Sequence, residues 1–258
     1  MIFVLGGTID ARFIVERIAA ENVHVKLHTL TQYGASLASE NSKAQSGALN
    51  SEQIEQQISK AWAVVDASHP YAVNISKEAM DAAKKQQKPY LRFERKSVLA
   101  NCADVYFAST HEQAAQLACE LCDCGNIFLT IGTRGISPYI AAARAHERSI
   151  FARILPVGES LHAAREVGLE PGQIVAMQGP ISSDMEKAFL RNFGVDVLVT
   201  KDSGMEGGVE AKLEAARSEG VKVVVVEKPK LNYPWQTSDV ETLMSQVRNI
   251  ADQNKTKP

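Results

Sequence analysis

The feature that most constrains this chain is its rhythm: short runs rich in β-branched residues alternate with longer amphipathic stretches from one end to the other. Apolar runs of about four to eight residues bounded by turn residues read as strands, and a 3.6-residue apolar period reads as helix. In the first half the predicted strands are "IFVLG", "HVKLHTL", "AVVDAS", "PYLRF" and "DVYFA", with helical patterns over 9–20, 51–60, 71–87 and 109–122. The second half begins the alternation again with "NIFLTIG", "SIFARIL", "QIVAM", "DVLVT" and "VKVVVVEK", and helices fall near 137–147, 158–167, 182–193, 208–219 and 236–252. Strand and helix taking turns in this way is the pattern of parallel sheets whose crossovers are helices. The polar "CDCGN" at 122–126 separates the two sets, which predicts an α/β protein of two domains, 1–124 and 125–258, each a mostly parallel sheet flanked by helices.

Composition excludes several partners. A chain of 258 residues with 45% apolar side chains can bury a full core, and its formal net charge of -2 supplies no basic field of the kind that nucleic acid or an anionic membrane requires. Met1 to Leu5 is too short for a secretory apolar region, and no apolar run approaches the roughly 18 residues of a membrane span, so a cytoplasmic protein is expected. Cys119, Cys122 and Cys124 crowd together in "CELCDC", with Cys102 further back, and zinc or redox chemistry is conceivable there. The nearest histidine in sequence, His111, precedes Cys119 by eight residues, outside the familiar ligand spacings, which favours free thiols and no metal.

In open parallel sheets, ligands bind beyond the carboxyl ends of the strands, where loops and helix N-termini converge. Those ends read "GGT", "TLT", "ASHPYA" and "RFER" in the first half and "GTRG", "RILP", "MQGP" and "TKDSG" in the second. Glycine, proline and hydroxyl residues in any one loop are explained by turn-making alone. Turns do not call for Arg92, Arg95, Arg134, Arg153 and Lys201, since cations at helix N-termini oppose the macrodipole unless an anion is near. The set predicts an anionic ligand held between two domains.

"LGGTIDAR" departs from the dinucleotide pattern, because Thr8 stands where a second glycine is usual. Gly6 and Gly7 still allow backbone to approach a pyrophosphate, Thr8 offers its N–H and hydroxyl, and Ala11 occupies the position that packs helix on strand. At the end of the second strand stand His28, Thr29, Leu30 and Thr31, with no carboxylate to repel a 2′-phosphate, which argues for NADPH over NADH. His69 in "ASHPYA" is either a turn residue or a group that touches a cofactor or gives a proton. In "TKDSG", Lys201 can neutralise an anion, Asp202 can orient it or act as an acid, and Ser203 or Gly204 can supply N–H groups; the alternative is an N-cap beside a solvated lysine.

Taken in order, "LGGTIDAR", "DASHPYAVNIS", "PYLRFER", "LTIGTRG", "ARILP", "AMQGPIS" and "LVTKDSG" followed by "GG" and a lysine resemble the precorrin-6A and cobalt-precorrin-6A reductases of cobalamin biosynthesis, over almost the whole chain. The resemblance implies two Rossmann-like domains and NADPH-dependent reduction of one double bond in a tetrapyrrole, hydride going to a ring carbon and a proton to its neighbour. The family's motifs fall on Gly6, Gly7 and Thr8, on Ser68, His69 and Tyr71, on Gly132, Thr133 and Arg134, and on Lys201, Asp202 and Ser203. Thr29, Ser68, Thr133, Ser203 and Gly204 join the glycine loop as expected cofactor contacts. The acetate and propionate groups of such a ring would be met by Arg92, Arg95, Arg134, Arg153 and Lys201, and its flat face by Tyr71, Tyr139 or Met177. Lys201, Asp202 and His69 are the candidate proton donors or orienters. Two departures, Asp10 for a common glutamate and Lys96 for a common proline, touch local turns only. The rival readings are another NAD(P)H-dependent reductase on the same scaffold and a nucleotide- or tetrapyrrole-binding module without turnover.

Overall fold

The computed structural model describes residues 1–30, 32–36, 44–95, 99, 105–202 and 208–255. Its elements in chain order are β1 (Ile2–Leu5), α1 (Ile9–Ala20), β2 (Val25–Thr29), α2 (Gln32–Ser36), β3 (Gln45–Ser46), α3 (Ser51–Ser59), β4 (Ala63–Asp66), α4 (Val73–Lys85) and β5 (Tyr90–Phe93). There follow β6 (Val105–Ala108), α5 (His111–Leu121), β7 (Asn126–Leu129), α6 (Ser137–Ala145), β8 (Ile150–Ile154), α7 (Gly158–Glu166), β9 (Ile174–Ala176), α8 (Ser183–Asn192) and β10 (Val195–Lys201). The chain closes with α9 (Val209–Glu219), β11 (Lys222–Val226), β12 (Gln236–Thr237) and α10 (Val240–Lys255).

These elements form two compact units, Met1–Lys96 with Pro229–Pro258, and Ser97–Lys228. Each holds a six-stranded sheet, in the orders β12-β5-β4-β1-β2-β3 and β6-β11-β10-β7-β8-β9, and every strand pairing is parallel. In the first unit the chain starts at the central β1, winds out to β3, returns to β4 and winds out to β12, the doubly wound Rossmann order; in the second it enters at the edge strand β6, crosses to the central β7, winds out to β9, and returns through β10 to β11 beside β6. Both sheets are doubly wound, and each leaves one topological switch point, between β1 and β4 and between β7 and β10.

The expected boundary at 124/125 falls inside the second unit. The sequence order places "DVYFA" with the first sheet, yet β6 pairs with β11, Val105 opposite Val223, and α5 packs on β10 and β11. The first sheet takes its sixth strand from the far end of the chain instead: Arg92 N–H donates to Trp235 O at 3.0 Å and Glu94 N–H to Thr237 O at 3.0 Å. Hydrophobic period identifies a strand but not its partner, and here the edge strands β6 and β12 pair with segments far away in sequence.

Burial follows from the pattern. On β1, Ile2 and Val4 face one core with α1 and α10, while Phe3 and Leu5 face another with α3 and α4. A strand buried on both faces must be apolar throughout, as "IFVL" is. Each fully buried side chain of this kind contributes about 1.5–3 kcal/mol. In the second unit Phe128, Leu198, Val223 and Val225 form a core with Leu190 of α8 and Val209 of α9. Among the described residues no helix is long and apolar enough to cross a membrane.

Candidate functional site

The first switch point is lined by the loops after β1 and β4. Gly6 has φ +150°, and a Cβ there would lie 2.7 Å from both Ala11 Cβ and Ala67 O, so only glycine lets α1 pack this close to β4. Gly7 is exposed, and a Cβ on it would meet nothing nearer than 3.8 Å. Its backbone therefore presents an open face beside the start of α1. Thr8 caps that helix: its hydroxyl accepts from Ala11 N–H at 3.0 Å and donates to Ala67 O at 2.9 Å. The expected hydroxyl contact to a cofactor is corrected accordingly, since the Thr8 proton is committed within the protein.

Across the switch point, Asp66 ends β4 with its side chain wholly buried. It accepts from Ser68 N–H at 2.9 Å, from Ser76 Oγ at 2.6 Å and, in a short bond, from Tyr90 Oη. Burial first, then the Asp66 charge, pushes the Tyr90 phenol far above its ordinary range, so it remains a donor. Arg92, predicted to meet a substrate carboxylate, is also wholly buried. It pairs with Asp66 at 3.0 Å and Glu94 at 2.8 Å, donates to Ser68 Oγ at 3.3 Å and lies 5.2 Å from the Tyr233 ring centroid. Its role as a ligand contact is corrected: the apolar surroundings require its charge to be answered inside the fold. The network instead shapes the loop that presents Ser68 and the exposed His69. Tyr71 donates its N–H to His69 Nδ1 at 3.4 Å, and their rings lie 5.3 Å apart.

Thr29, at the end of β2, is 1% exposed and its carbonyl accepts from Gly47 N–H at 3.1 Å. No aspartate or glutamate occurs between His28 and Ser39. Arg95 pairs with Asp10 in the first turn of α1 in a short ion pair, which ties the end of β5 to the glycine loop.

The second switch point carries a different chemistry. After β7 the chain turns at Gly132, φ +76°, into a single 3-10 turn over Thr133–Gly135 that leaves Thr133 half-buried and Arg134 exposed. A Cβ on Gly135 would lie 2.5 Å from the His111 ring, whose Nδ1 is 3.2 Å from the hydroxyl of Tyr139. Tyr139, expected as an apolar wall, is 1% exposed and serves as this anchor. Lys201 ends β10 half-buried, and burial followed by the neighbouring Arg134 charge lowers its ammonium to about 8. His111 is lowered by burial and then by Lys201. Asp202 is 7% exposed and donates its N–H to Val226 O at 3.3 Å. Ser203 and Gly204 lie outside the described residues. Arg134 and Lys201, beyond the carboxyl ends of the neighbouring strands β7 and β10, repel each other, and an anion placed there relieves that repulsion.

Arg153, at the end of β8, is corrected in the same way as Arg92. It is buried and bonds Glu186 at 2.9 Å, with Lys212 as a second buried cation. Burial, then Arg153, lowers Lys212 to about 8, while Glu186 opposes the shift. Lys212 and Glu186 were missed in the sequence, although the signal was present. Lys212 stands in the buried stripe of α9 with Val209, Ala215 and Ala216, and Glu186 shares the buried face of α8 with Leu190.

Cys119 and Cys122 are buried free thiols and Cys124 is exposed, while Cys102 lies outside the described residues. Among the described residues no cluster of three His, Cys, Asp or Glu side chains is arranged to hold a metal.

A family model described as precorrin-6x reductase CbiJ/CobK matches residues 1–248. A cobalt-precorrin-6A reductase of Priestia megaterium is 32% identical over 253 residues, covering 96% of this chain and 98% of the relative. One of Salmonella typhimurium is 32% identical over 252 residues, covering 95% and 92%. A solved structure described as CobK precorrin-6A reductase superposes with a TM-score of 0.78 at 22% identity, covering 96% of each chain, and shows the same fold.

Proposed function

This chain belongs to the precorrin-6x reductase family, and from that premise we propose that it uses NADPH to reduce one double bond of cobalt-precorrin-6A to the 6B form, a step of cobalamin biosynthesis. The observation that carries the reading is the open Gly7 face at the first switch point, with Gly6 as the close-packed hinge beneath it. A dinucleotide binds at this place in a doubly wound sheet, its pyrophosphate at the N-terminus of the first helix. Gly6, Gly7, the Thr8 backbone and Ser68 would hold it. The carboxylate-free end of β2 supports NADPH in preference to NADH.

When bound, the reduced nicotinamide supplies the hydride. Arg134 and Lys201 would pair substrate carboxylates, since they are the accessible cations at the second switch point. Hydride addition must be completed by one proton on the adjacent ring atom. We assign its delivery to Lys201, because an ammonium held near 8 is a far better acid at neutral pH than an ordinary lysine. Thr133 beside Arg134, and His69 with Tyr71, are the remaining contacts we propose.

The two full-length relatives support the cobalt-bound ring as substrate. The test is anaerobic turnover with purified protein, following the near-ultraviolet absorbance of NADPH, with cobalt-bound and metal-free ring in parallel. Consumption with the cobalt form is expected; no consumption with either ring overturns the reading.

A further inference from the structure

We propose that Arg95 is a cofactor residue: its guanidinium answers the Asp10 carboxylate and neutralises the pyrophosphate of the bound nicotinamide nucleotide. The proposal rests on the reading of the first switch point as the nucleotide site. It differs from the substrate role that the sequence suggested for Arg95.

The loop offers an anion backbone N–H groups but no cationic side chain. From Leu5 to Ala11 the one charged side chain is that of Asp10, a carboxylate in the first turn of the helix toward which a pyrophosphate would point. The Thr8 hydroxyl donates to Ala67 O, so it cannot donate to a phosphate. A dianionic group approaching this turn would therefore meet repulsion unless a cation answered Asp10.

Arg95 is placed to do so. It lies two residues past β5, and the strand order β5-β4-β1 sets β5 beyond β4 from β1. An ion pair from Arg95 to Asp10 on α1 therefore reaches past the end of β4, the strand that forms one lip of the switch point. Both partners remain accessible, at 35% and 21% side-chain exposure. A planar guanidinium with five donors can keep one edge on a carboxylate and offer another to phosphate oxygens. Arg92, the neighbouring cation, is fully buried and already joined to Asp66 and Glu94. The pyrophosphate is favoured over the 2′-phosphate because Asp10 belongs to the first turn of α1, whereas a 2′-phosphate lies toward the end of β2, on the other side of β1.

The experiment titrates full-length protein with NADPH and with NADH, using nucleotide fluorescence, for wild type, Arg95→Gln and Asp10→Asn. Arg95→Gln is expected to weaken both nucleotides by about tenfold, as loss of a charge-assisted contact implies, with the substrate KM at saturating NADPH unchanged. Asp10→Asn, which removes the opposing carboxylate, is expected to tighten both. Unchanged nucleotide affinity in Arg95→Gln overturns the proposal, as does a rise confined to the substrate KM. A loss confined to NADPH reassigns Arg95 to the 2′-phosphate and overturns the pyrophosphate role. Should Arg95→Gln fail to fold, unchanged or weaker binding by Asp10→Asn overturns it instead. Wild-type protein that binds neither nucleotide removes the nucleotide reading of the switch point itself, and this proposal with it.

Discussion

Arg92 and Asp66 face each other at 3.0 Å with both side chains wholly buried, and Tyr90, Ser76 and Ser68 complete the hydrogen bonding of the carboxylate. Removing one member strands the other charge in an apolar medium. Asp66→Ala is expected to cost about 3–5 kcal/mol of stability in urea denaturation, and Tyr90→Phe about 1 kcal/mol. A loss below about 1 kcal/mol for Asp66→Ala would show that the pair is not the organising feature of this loop.

The two glycines of the first loop should separate cleanly. Gly6→Ala drives a methyl to 2.7 Å from Ala11 Cβ and Ala67 O and should destabilise the fold by about 1–3 kcal/mol or more. Gly7→Ala has no neighbour closer than 3.8 Å and should melt like wild type while binding NADPH about tenfold more weakly, its methyl standing on the open face. Thermal melts and nucleotide titration check both; equal NADPH affinity for Gly7→Ala and wild type removes Gly7 from the site.

Lys201 predicts two pH effects of defined sign. Its folded pKa of about 8 lies below its ordinary 10.5, so between those values the unfolded chain binds more protons and stability rises with pH. Lys212, also held at about 8, acts in the same direction, and Lys201→Met should remove only part of the slope. As proton donor, Lys201 must be protonated, so kcat/KM, which reports the free enzyme, is expected to fall as pH rises through about 8. A kcat/KM flat from neutrality to well above that value excludes Lys201 as the acid.

Arg134 lowers Lys201 by charge repulsion. Arg134→Gln should therefore move the alkaline limb of the kcat/KM profile to higher pH and raise the substrate KM, with no change in NADPH affinity. An unmoved limb together with an unchanged KM would mean that the two cations neither interact nor share a ligand.

Tyr139→Phe, which removes the Tyr139 hydroxyl, tests the second loop. Without its partner at 3.2 Å, the His111 ring loses its orientation over Gly135, and stability should fall by about 1 kcal/mol. A larger rise in substrate KM than in NADPH Kd is expected, because the turn it supports carries Arg134. Equal effects on both would count against that division.

Much of the molecule was legible without coordinates. The helix predicted over 9–20 is α1, and the runs "IFVLG", "NIFLTIG" and "DVLVT" supply β1, β7 and β10, the strands whose ends carry Gly6, Arg134 and Lys201. These follow from local period and capping, as with Thr8 at the head of α1. The short strands β3 and β12 escaped notice because two residues carry no period.

What the sequence determined by itself is the alternation of strand and helix, hence parallel sheets with ligand loops at their carboxyl ends, and the residue types gathered at those ends. Only the tertiary structure decided which sheet each edge strand joins and which cations face outward. Val105 is set against Val223, and Gln236 against Arg92, by pairing over long separations that leave no local trace. Arg92 and Arg134 look alike in the chain, yet one is surrounded by Asp66, Glu94 and Tyr233 while the other is exposed. Period is a property of neighbours in sequence; exposure and charge pairing depend on neighbours in space.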